Sequence, residues 1–224
     1  MPDVESEQKP QFRNASPARY QIKGSQAQVL ISTNSGTISE YQVHEPELSP
    51  ELIQACSALR VQIKQLLHDK QAYHRLSRNF SREFTRITKE RFPSFTAKEI
   101  EKLAYFINRD ARGLGKIQPL VEDPAVQLIS ITGPKQIITL QHVEHGLLFT
   151  SLILSEAEIS QLIKKLCNRA TKQVSNSSPP HEITLRSGLL VKFSETQGDS
   201  GTRSILIEKP DRVLDIPSSS HSPS

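Results

Sequence analysis

The sequence has 224 residues, of which 36% are apolar and 23% are charged, with a formal net charge of +4. Its length allows one large domain or two small ones, and its composition is that of a globular protein. It contains no run of about 18 apolar residues, and its first residues are too polar for a signal peptide, so we expect a cytoplasmic protein.

The two ends of the sequence differ from its middle in composition, and the two cysteines are widely separated. Residues 1–19 are polar and rich in proline, and the Ser/Pro-rich residues 211–224 cannot pack, so both are predicted to be disordered. Cys56 and Cys167 lie far apart, each on the apolar stripe of a predicted helix. This placement argues against a disulfide framework or a CxxC zinc site.

Residues 20–48 form a short β segment in this interpretation. Apolar residues at 29–31 and at 38–43 flank Asn34-Ser35-Gly36, a sequence typical of a turn. A hairpin is therefore expected before the first helix.

A helical bundle is predicted over residues 49–115. Ser49 followed by Pro50 indicates a capped helix start, and a second helix is expected over 71–91, where Pro93 ends it. The third helix begins at the capping box of residues 96–99 and is expected to end at Gly113, in the left-handed conformation. Three helices with short connections follow from these signals.

The pattern changes to short apolar runs over residues 116–210, which predicts an α/β subdomain of PAS-like type. Six runs have the composition of strands: 128–131, 137–140, 147–154, 183–185, 189–193 and 204–207. One helix, starting at a capping box at Ser155, interrupts them. The fold class is therefore predicted to be α+β, a three-helix bundle followed by a sandwich of a mostly antiparallel sheet on a helix.

The segment GLGKIQPLVEDP at residues 113–124 resembles a signature of the secretion ATPase superfamily, which includes the type II secretion, type IV pilus and archaellum motors. The matching positions are Gly113, Gly115, Pro119, Leu120, Asp123 and Pro124. A second segment, Tyr41-x-Val43-x-Glu45-Pro46-Glu47-Leu48, is similar to archaeal members. The resemblance covers residues 20–210 and implies the region that precedes the nucleotide-binding motor domain.

Two departures from the family pattern concern nucleotide chemistry. Where the family carries phosphate-contacting arginines, this sequence has Leu190 and Glu208. A glutamate there replaces a bidentate donor with a charge that repels phosphate. The sequence also has no Walker A or Walker B motif, and the GLGK run has neither the spacing nor the setting of a phosphate loop. We therefore expect a protein that is not an enzyme and needs no cofactor.

Residues 113–124 themselves allow two interpretations. The favoured one is structural, with glycines for unusual backbone angles and prolines for stiffness. The alternative, implied by the resemblance, is a hinge between the helical and sheet parts.

Positive charge is concentrated in residues 64–91, which contain eight Lys or Arg and three Asp or Glu. The candidate interaction face consists of Arg75, Arg78, Arg82, Arg86 and Lys89. We expect it to contact a motor ATPase or its membrane platform protein, with peripheral membrane association as one form of that contact. A split motor subunit and a nucleic-acid-binding module are the alternatives, and the second is disfavoured because Phe80 and Phe84 lie on the opposite stripe.

Two other kinds of site are weakly indicated. His142, His145 and His181 suggest a metal site, but one HxxH pair without a cysteine is a weak signal, so exposed histidines are the favoured interpretation. A serine hydrolase is disfavoured because no G-x-S-x-G motif occurs.

Overall fold

A computed structural model of the chain describes residues 17–34, 38–172, 174, 181–195 and 203–210. The predicted lead overlaps the first strand, which already begins at Ala18. The remainder of the lead, the predicted tail at 211–224 and most of the predicted turn at 34–36 lie outside the described residues.

Nine strands form one sheet within the described residues. They are β1 (Ala18–Gln21), β2 (Gln28–Asn34), β3 (Ile38–His44), β4 (Val126–Ile131), β5 (Ile137–His142), β6 (Gly146–Ile153), β7 (Glu182–Thr184), β8 (Leu190–Glu195) and β9 (Arg203–Glu208). Their order is β1-β2-β3-β6-β5-β4-β9-β8-β7. Every neighbouring pair is antiparallel except β3 and β6, which are parallel. The predicted α+β class with a mostly antiparallel sheet is confirmed.

The early β segment belongs to this same sheet. β2 and β3 form the expected antiparallel hairpin ladder. β3 then pairs with β6 through Glu40 opposite Phe149 and Tyr41 opposite Thr150. Residues 20–48 thus extend the sheet that residues 116–210 build.

Six α-helices complete the described fold. They are α1 (Pro50–Leu66), α2 (Lys70–Arg78), α3 (Phe80–Arg91), α4 (Ala97–Ile107), α5 (Gln118–Glu122) and α6 (Glu156–Cys167). A π-helical turn (Asn108–Arg112) and a 3-10 turn (Gly115–Ile117) lie between α4 and α5.

The predicted helix caps form as expected. Ser49 accepts a hydrogen bond from the Leu52 N–H at the start of α1. Thr96 and Ser155 each form a reciprocal capping box with the glutamate three residues on, at the starts of α4 and α6. These caps satisfy backbone N–H groups that a helix start leaves without partners.

The single helix predicted over residues 71–91 is wrong. Asn79 interrupts it with an extended backbone (φ −150°, ψ 84°) and caps α3, its side chain accepting from the Arg82 N–H at 3.1 Å. An asparagine can replace a helical hydrogen bond with a side-chain one, and here that local bond divides the segment into α2 and α3. The helical part therefore has four α-helices rather than three.

Two separate hydrophobic clusters hold the chain together. The helical core is formed by α1 to α4 and includes Leu59, Phe84 and Leu103. The sheet core joins the strands to α6 and includes Ile129 and Leu166. The two buried cysteines are divided between them, Cys56 in the helical core and Cys167 in the sheet core. Among the described residues, no helix combines the length and the apolarity that a membrane span requires.

Candidate functional site

Residues 113–124, here called the junction segment, lie where the chain passes from the helical core to the sheet core. Ile107 packs in the helical core, whereas Leu114, Ile117 and Leu120 pack in the sheet core. Of the family signature positions, Leu120 is fully buried, whereas Pro124 is exposed. The crossing between the cores therefore takes place over the π-helical turn.

The two signature glycines serve different geometric needs. Gly113 has φ −96°, so the predicted left-handed stop at this residue is wrong. A Cβ atom on Gly113 would lie 2.5 Å from the Arg109 carbonyl oxygen and 2.8 Å from the Gln118 side-chain oxygen, so Gly113 is required by close packing. Gly115 has φ +70°, a conformation that side chains disfavour, and no atom crowds its Cβ direction.

Three long cationic side chains hold the carbonyl groups of the junction. Lys165 of α6 donates to the carbonyls of Asp110 (2.6 Å) and Gly113 (3.2 Å). Arg169 donates to those of Arg112 (2.6 Å) and Gly113 (3.1 Å). Lys209, after β9, donates to the Leu120 carbonyl at 2.9 Å and to that of Asp123. The segment is thus fastened to α6 and to the end of β9.

Asp123 is the centre of a buried polar network. Its Oδ2 atom accepts hydrogen bonds from the hydroxyl groups of Tyr20 and Tyr41, both at 2.6 Å, and its Oδ1 accepts from the Ala125 N–H at 2.9 Å. The carboxylate is fully buried. Burial, followed by the adjacent Asp123 charge, raises the pKa of both tyrosines, so both remain hydroxyl donors.

His142 extends this network instead of lying on the surface, so the prediction of an exposed histidine is wrong for this residue. It is 2% exposed, and its Nε2 lies 3.1 Å from the Tyr20 hydroxyl oxygen. Its Nδ1 accepts from the N–H groups of Glu144 (3.2 Å) and His145 (3.3 Å). The hydrogen bonds therefore assign the proton to Nε2, and burial lowers the pKa of His142.

A second polar chain joins the segment before α1 to the π-helical turn. Glu45 accepts from the Tyr105 hydroxyl at 2.7 Å and from the Arg109 guanidinium. Arg109 also contacts Asp110 at 2.8 Å, and Asp110 accepts from Arg60 of α1 at 2.6 Å. With Tyr41 bound to Asp123, two residues of the archaeal-like segment are therefore anchors of the junction.

Leu190 and Glu208, the predicted degenerate phosphate-contact positions, are direct cross-strand partners on β8 and β9. Both are half-buried. Glu208 forms an ion pair with Lys192 at 2.7 Å, which raises the pKa of Lys192. The structure brings Leu190 and Glu208 together, and it places Lys192, which the sequence did not indicate, beside Glu208.

The candidate interaction face is exposed on α2 and α3, but part of its charge is neutralised. Glu83 contacts Arg75 of α2 at 3.3 Å and Arg86 of α3 at 2.7 Å, and Arg86 also pairs with Glu90. Lys89 donates to the Phe95 carbonyl at 2.5 Å. Among the described residues, Arg78 and Arg82 have no ion-pair partner.

Sequence reasoning missed the residues that fasten the junction. Lys165, Arg169 and Lys209 carry no motif, and their carbonyl partners come from a distant part of the chain. Of the buried polar network, the family signature indicated Asp123, whereas His142 was indicated only as a weak metal candidate. Among the described residues, no group of three His, Cys, Asp or Glu side chains is arranged to hold a metal ion.

Comparisons with known proteins give limited matches. No family model matches the sequence. Uncharacterized protein MJ0900 of Methanocaldococcus jannaschii is 34% identical over 97 residues, which are 42% of this chain and 17% of that protein. The chain therefore spans less than a fifth of that curated relative's length.

One solved structure with partial similarity is the VirB11 ATPase from the Brucella suis type IV secretion system in complex with sulphate. The match covers 43% of this chain and 30% of that chain, with a TM-score of 0.34 and 17% sequence identity. A TM-score of this size does not establish a common fold.

Proposed function

We propose that this chain is a non-catalytic homologue of the amino-terminal region of secretion, pilus or archaellum assembly ATPases. It acts as an accessory or regulatory protein that binds a motor ATPase or its membrane platform protein in the cytoplasm, at the inner face of the membrane. It does so without hydrolysing nucleotide.

The observation that carries the non-catalytic part of the proposal is the pairing of Leu190 with Glu208. In the resembled family these positions hold arginines that reach nucleotide phosphates. Here the two residues are cross-strand partners on β8 and β9, and the cation Lys192 pairs with Glu208 at 2.7 Å. The Glu208 carboxylate would repel a phosphate bound at this strand pair, and the phosphate would have to compete with Glu208 for Lys192.

The signature residues retained in the chain support a scaffold role. Leu120 and Asp123 are fully buried, and Gly113 fits where a Cβ atom would be 2.5 Å from a carbonyl oxygen. Each of these residues has a partner within the chain, so its presence is accounted for by packing. The signature residues that this chain shares with the family therefore serve the packing of the junction segment.

The exposed charge on α2 and α3 supports a protein or membrane-platform partner over nucleic acid. Phe84 is fully buried, and Phe80 stacks on it with ring centroids 5.4 Å apart, so these rings face the helical core. Stacking on bases requires aromatic faces that are open to solvent. Arg78 and Arg82 remain as exposed cations for an acidic partner surface.

The test combines the purified protein with a motor ATPase encoded beside its gene and measures complex formation and ATPase rate at low and high salt. We expect a saturable change in rate that weakens with salt, because exposed charge pairs are screened. The double variant Arg78→Glu/Arg82→Glu should weaken binding about tenfold or more, since two like charges then face the partner. Lys172→Glu, also exposed but located after α6, is the matched control and should bind normally.

Three results would contradict the proposal. ATP hydrolysis by the isolated protein, or tight magnesium-dependent ATP retention at the strand pair of Leu190 and Glu208, would show a catalytic role. Rescue of a motor that lacks its own amino-terminal region would support the split-subunit alternative. Salt-dependent affinity for DNA or RNA alone would support the nucleic-acid alternative.

A further inference from the structure

A cleft of about 390 Å³ opens between the helical core and α6, beside the start of the junction segment. Its walls come from α1, the π-helical turn, the 3-10 turn and α6. A volume of this size lies within the range of small-molecule sites in proteins. The lining includes no residue of β8 or β9, so the cleft is distinct from Leu190 and Glu208.

Positive charge dominates the lining. Five cationic side chains face two carboxylates, the cations being Arg60, Lys64, Arg109, Lys116 and Lys165. Asp110 neutralises Arg60 at 2.6 Å, and Glu158 neutralises Lys116 at 2.8 Å. Arg109 pairs with Glu45, which lies outside the lining, and shares Asp110 with Arg60.

Two of the five cations have no carboxylate partner among the described residues. Lys165 donates only to main-chain carbonyls, of Asp110 and Gly113, so its charge is not neutralised. Lys64 is exposed, one turn after Arg60 on α1, and forms no described ion pair. Burial is the main cause that lowers the pKa of Lys165, and the neighbouring cations Arg169, Lys64 and Arg109 lower it further, whereas Asp110 raises it.

Arg60 contributes a donor that the protein does not use. Its Nε atom is buried and has no hydrogen-bond partner among the described residues, although its terminal nitrogen binds Asp110. A buried donor without an acceptor is unfavourable, so the protein does not fully satisfy this guanidinium, whose side chain is 38% exposed. This observation is independent of the charge excess.

Part of the lining is apolar. Leu114, Leu154 and Leu162 are all buried residues of the sheet core that line the same cleft. A site that combines clustered cations with an apolar wall fits a ligand with an anionic head and a less polar remainder.

We propose that this cleft binds the diphosphate group of a small phosphorylated molecule, held by Lys64, Lys165 and Arg60. A diphosphate offers several acceptor oxygens, which suits three separate cationic donors better than a single carboxylate does. The ligand bridges α1 of the helical core and α6 of the sheet core, so its binding stabilises their relative placement. The proposal does not depend on the proposed function, because it involves neither the partner nor the strand pair at Leu190 and Glu208.

The test uses calorimetric titration of the full chain at low salt with inorganic pyrophosphate, with ADP and with sulfate. We expect pyrophosphate and ADP to bind at one site and sulfate to bind more weakly, since it offers one anionic group. Tighter binding of ADP than of pyrophosphate would identify an organic diphosphate whose remainder uses the leucine wall. Equal binding would identify the inorganic ion as a sufficient ligand.

Site-directed variants locate the binding. Lys64→Gln should weaken pyrophosphate binding about tenfold, the scale of one charge-assisted contact at a partly exposed site. Lys164→Gln removes the same charge from an exposed position of α6 outside the lining and is the matched control. Pyrophosphate should also raise the melting temperature of the wild type and of Lys164→Gln more than that of Lys64→Gln.

Each contrary result is decisive. Absence of diphosphate binding by the wild type would overturn the proposal. An equal loss in Lys64→Gln and Lys164→Gln would show non-specific attraction to surface charge, and an unchanged affinity in Lys64→Gln would place the ligand elsewhere. None of these results bears on whether the chain binds a motor ATPase, which is measured separately.

Discussion

At the scale of single residues, Asp123 is a buried acidic group with several hydrogen-bond partners. It is a fully buried carboxylate that accepts two tyrosine hydroxyl bonds and one backbone N–H bond. An ionised group is tolerated in the interior only when hydrogen bonds replace its hydration. Tyr20 lies in β1 and Tyr41 in β3, so the carboxylate ties two strands of the early β segment to the end of α5.

The first prediction concerns Tyr41→Phe. The change removes one of the two hydroxyl donors and leaves the rest of the packing intact. We expect a loss of about 1.5–3 kcal/mol in the free energy of unfolding, the range for a hydrogen bond to a charged group. Urea denaturation provides the measurement.

The matched control is Tyr73→Phe, because the Tyr73 side chain is 49% exposed and no hydrogen bond of its hydroxyl is described. It should change stability by less than about 0.5 kcal/mol. Equal effects of the two substitutions would show that the Asp123 network contributes little.

The second prediction concerns pH and His142. Its folded-state pKa lies below the ordinary value of 6.5, mainly because of burial. The unfolded chain therefore takes up the proton first as the pH falls, and stability from this residue is complete above 6.5 and decreases below it. A proton on Nδ1 would also be repelled by the N–H groups of Glu144 and His145, which now donate hydrogen bonds to this atom.

We expect the variant His142→Gln to show a smaller loss of stability than wild type between about pH 7 and pH 5, since glutamine does not titrate there. The free energy of unfolding at a series of pH values is the measurement. His74→Gln, at an exposed position of α2, should keep the wild-type pH dependence. An unchanged slope in His142→Gln would assign the acid sensitivity to other groups.

At the scale of elements, the connection from α4 to α5 is built from unusual turns. α4 ends at Ile107, the chain continues as a π-helical turn to Arg112, and a 3-10 turn follows at Gly115–Ile117. π and 3-10 turns shift the direction of side chains relative to an α-helix. In this way Ile107 faces the helical core while Leu114 faces the sheet core.

The third prediction compares Gly113→Ala with Gly115→Ala. At Gly113 the added methyl would lie 2.5 Å from a backbone oxygen, so the turn itself must move, and we expect a loss of about 3 kcal/mol. At Gly115 the cost is that of the positive φ of +70° alone, about 1 kcal/mol, because no atom lies within 4 Å.

The ranking is measured by urea denaturation of the two variants under identical conditions. Each variant serves as the control for the other, because the amino-acid change is the same and the sites are two residues apart. A larger loss at Gly115 than at Gly113 would contradict the packing explanation.

At the scale of the whole molecule, the helical and sheet cores are joined by a fastened segment. Lys165, Arg169 and Lys209 each donate to two carbonyls in or next to the junction segment. The amides of Gly113 and Asp123 also donate, to Asn108 at 2.7 Å and to Pro119 at 3.0 Å. These contacts favour the structural interpretation of the segment over the hinge that the family resemblance implies.

The fourth prediction is therefore slow hydrogen exchange and resistance to proteolysis at the junction segment. Amides that are buried and bonded exchange only through larger openings, so Gly113 and Asp123 should exchange as slowly as the core strand β4. Amides of α2, a nine-residue helix with only Ala72 and Leu76 buried, should exchange faster and provide an internal comparison. Preferential exchange or cleavage at residues 112–124 would instead support the hinge.

The sequence by itself determined the elements whose signals are local. Caps at Ser49, Thr96 and Ser155, and apolar residues repeating every three or four positions, depend on hydrogen bonds and burial within one helix. The α+β class and the strands follow from the same local patterns. The family signature likewise marked a segment in which Gly113, Leu120 and Asp123 are buried, although the predicted left-handed conformation of Gly113 was wrong.

The tertiary structure alone decided what depends on groups distant in sequence. Asn79 divided a predicted helix through a cap that competes with a helical bond, and the pairing of β3 with β6 merged two predicted sheets into one. The Asp123 network and the basic cleft bring together side chains that are up to 122 residues apart in the sequence. No local sequence pattern predicts these contacts, because the hydrogen bonds and ion pairs of buried polar groups form only in the folded chain.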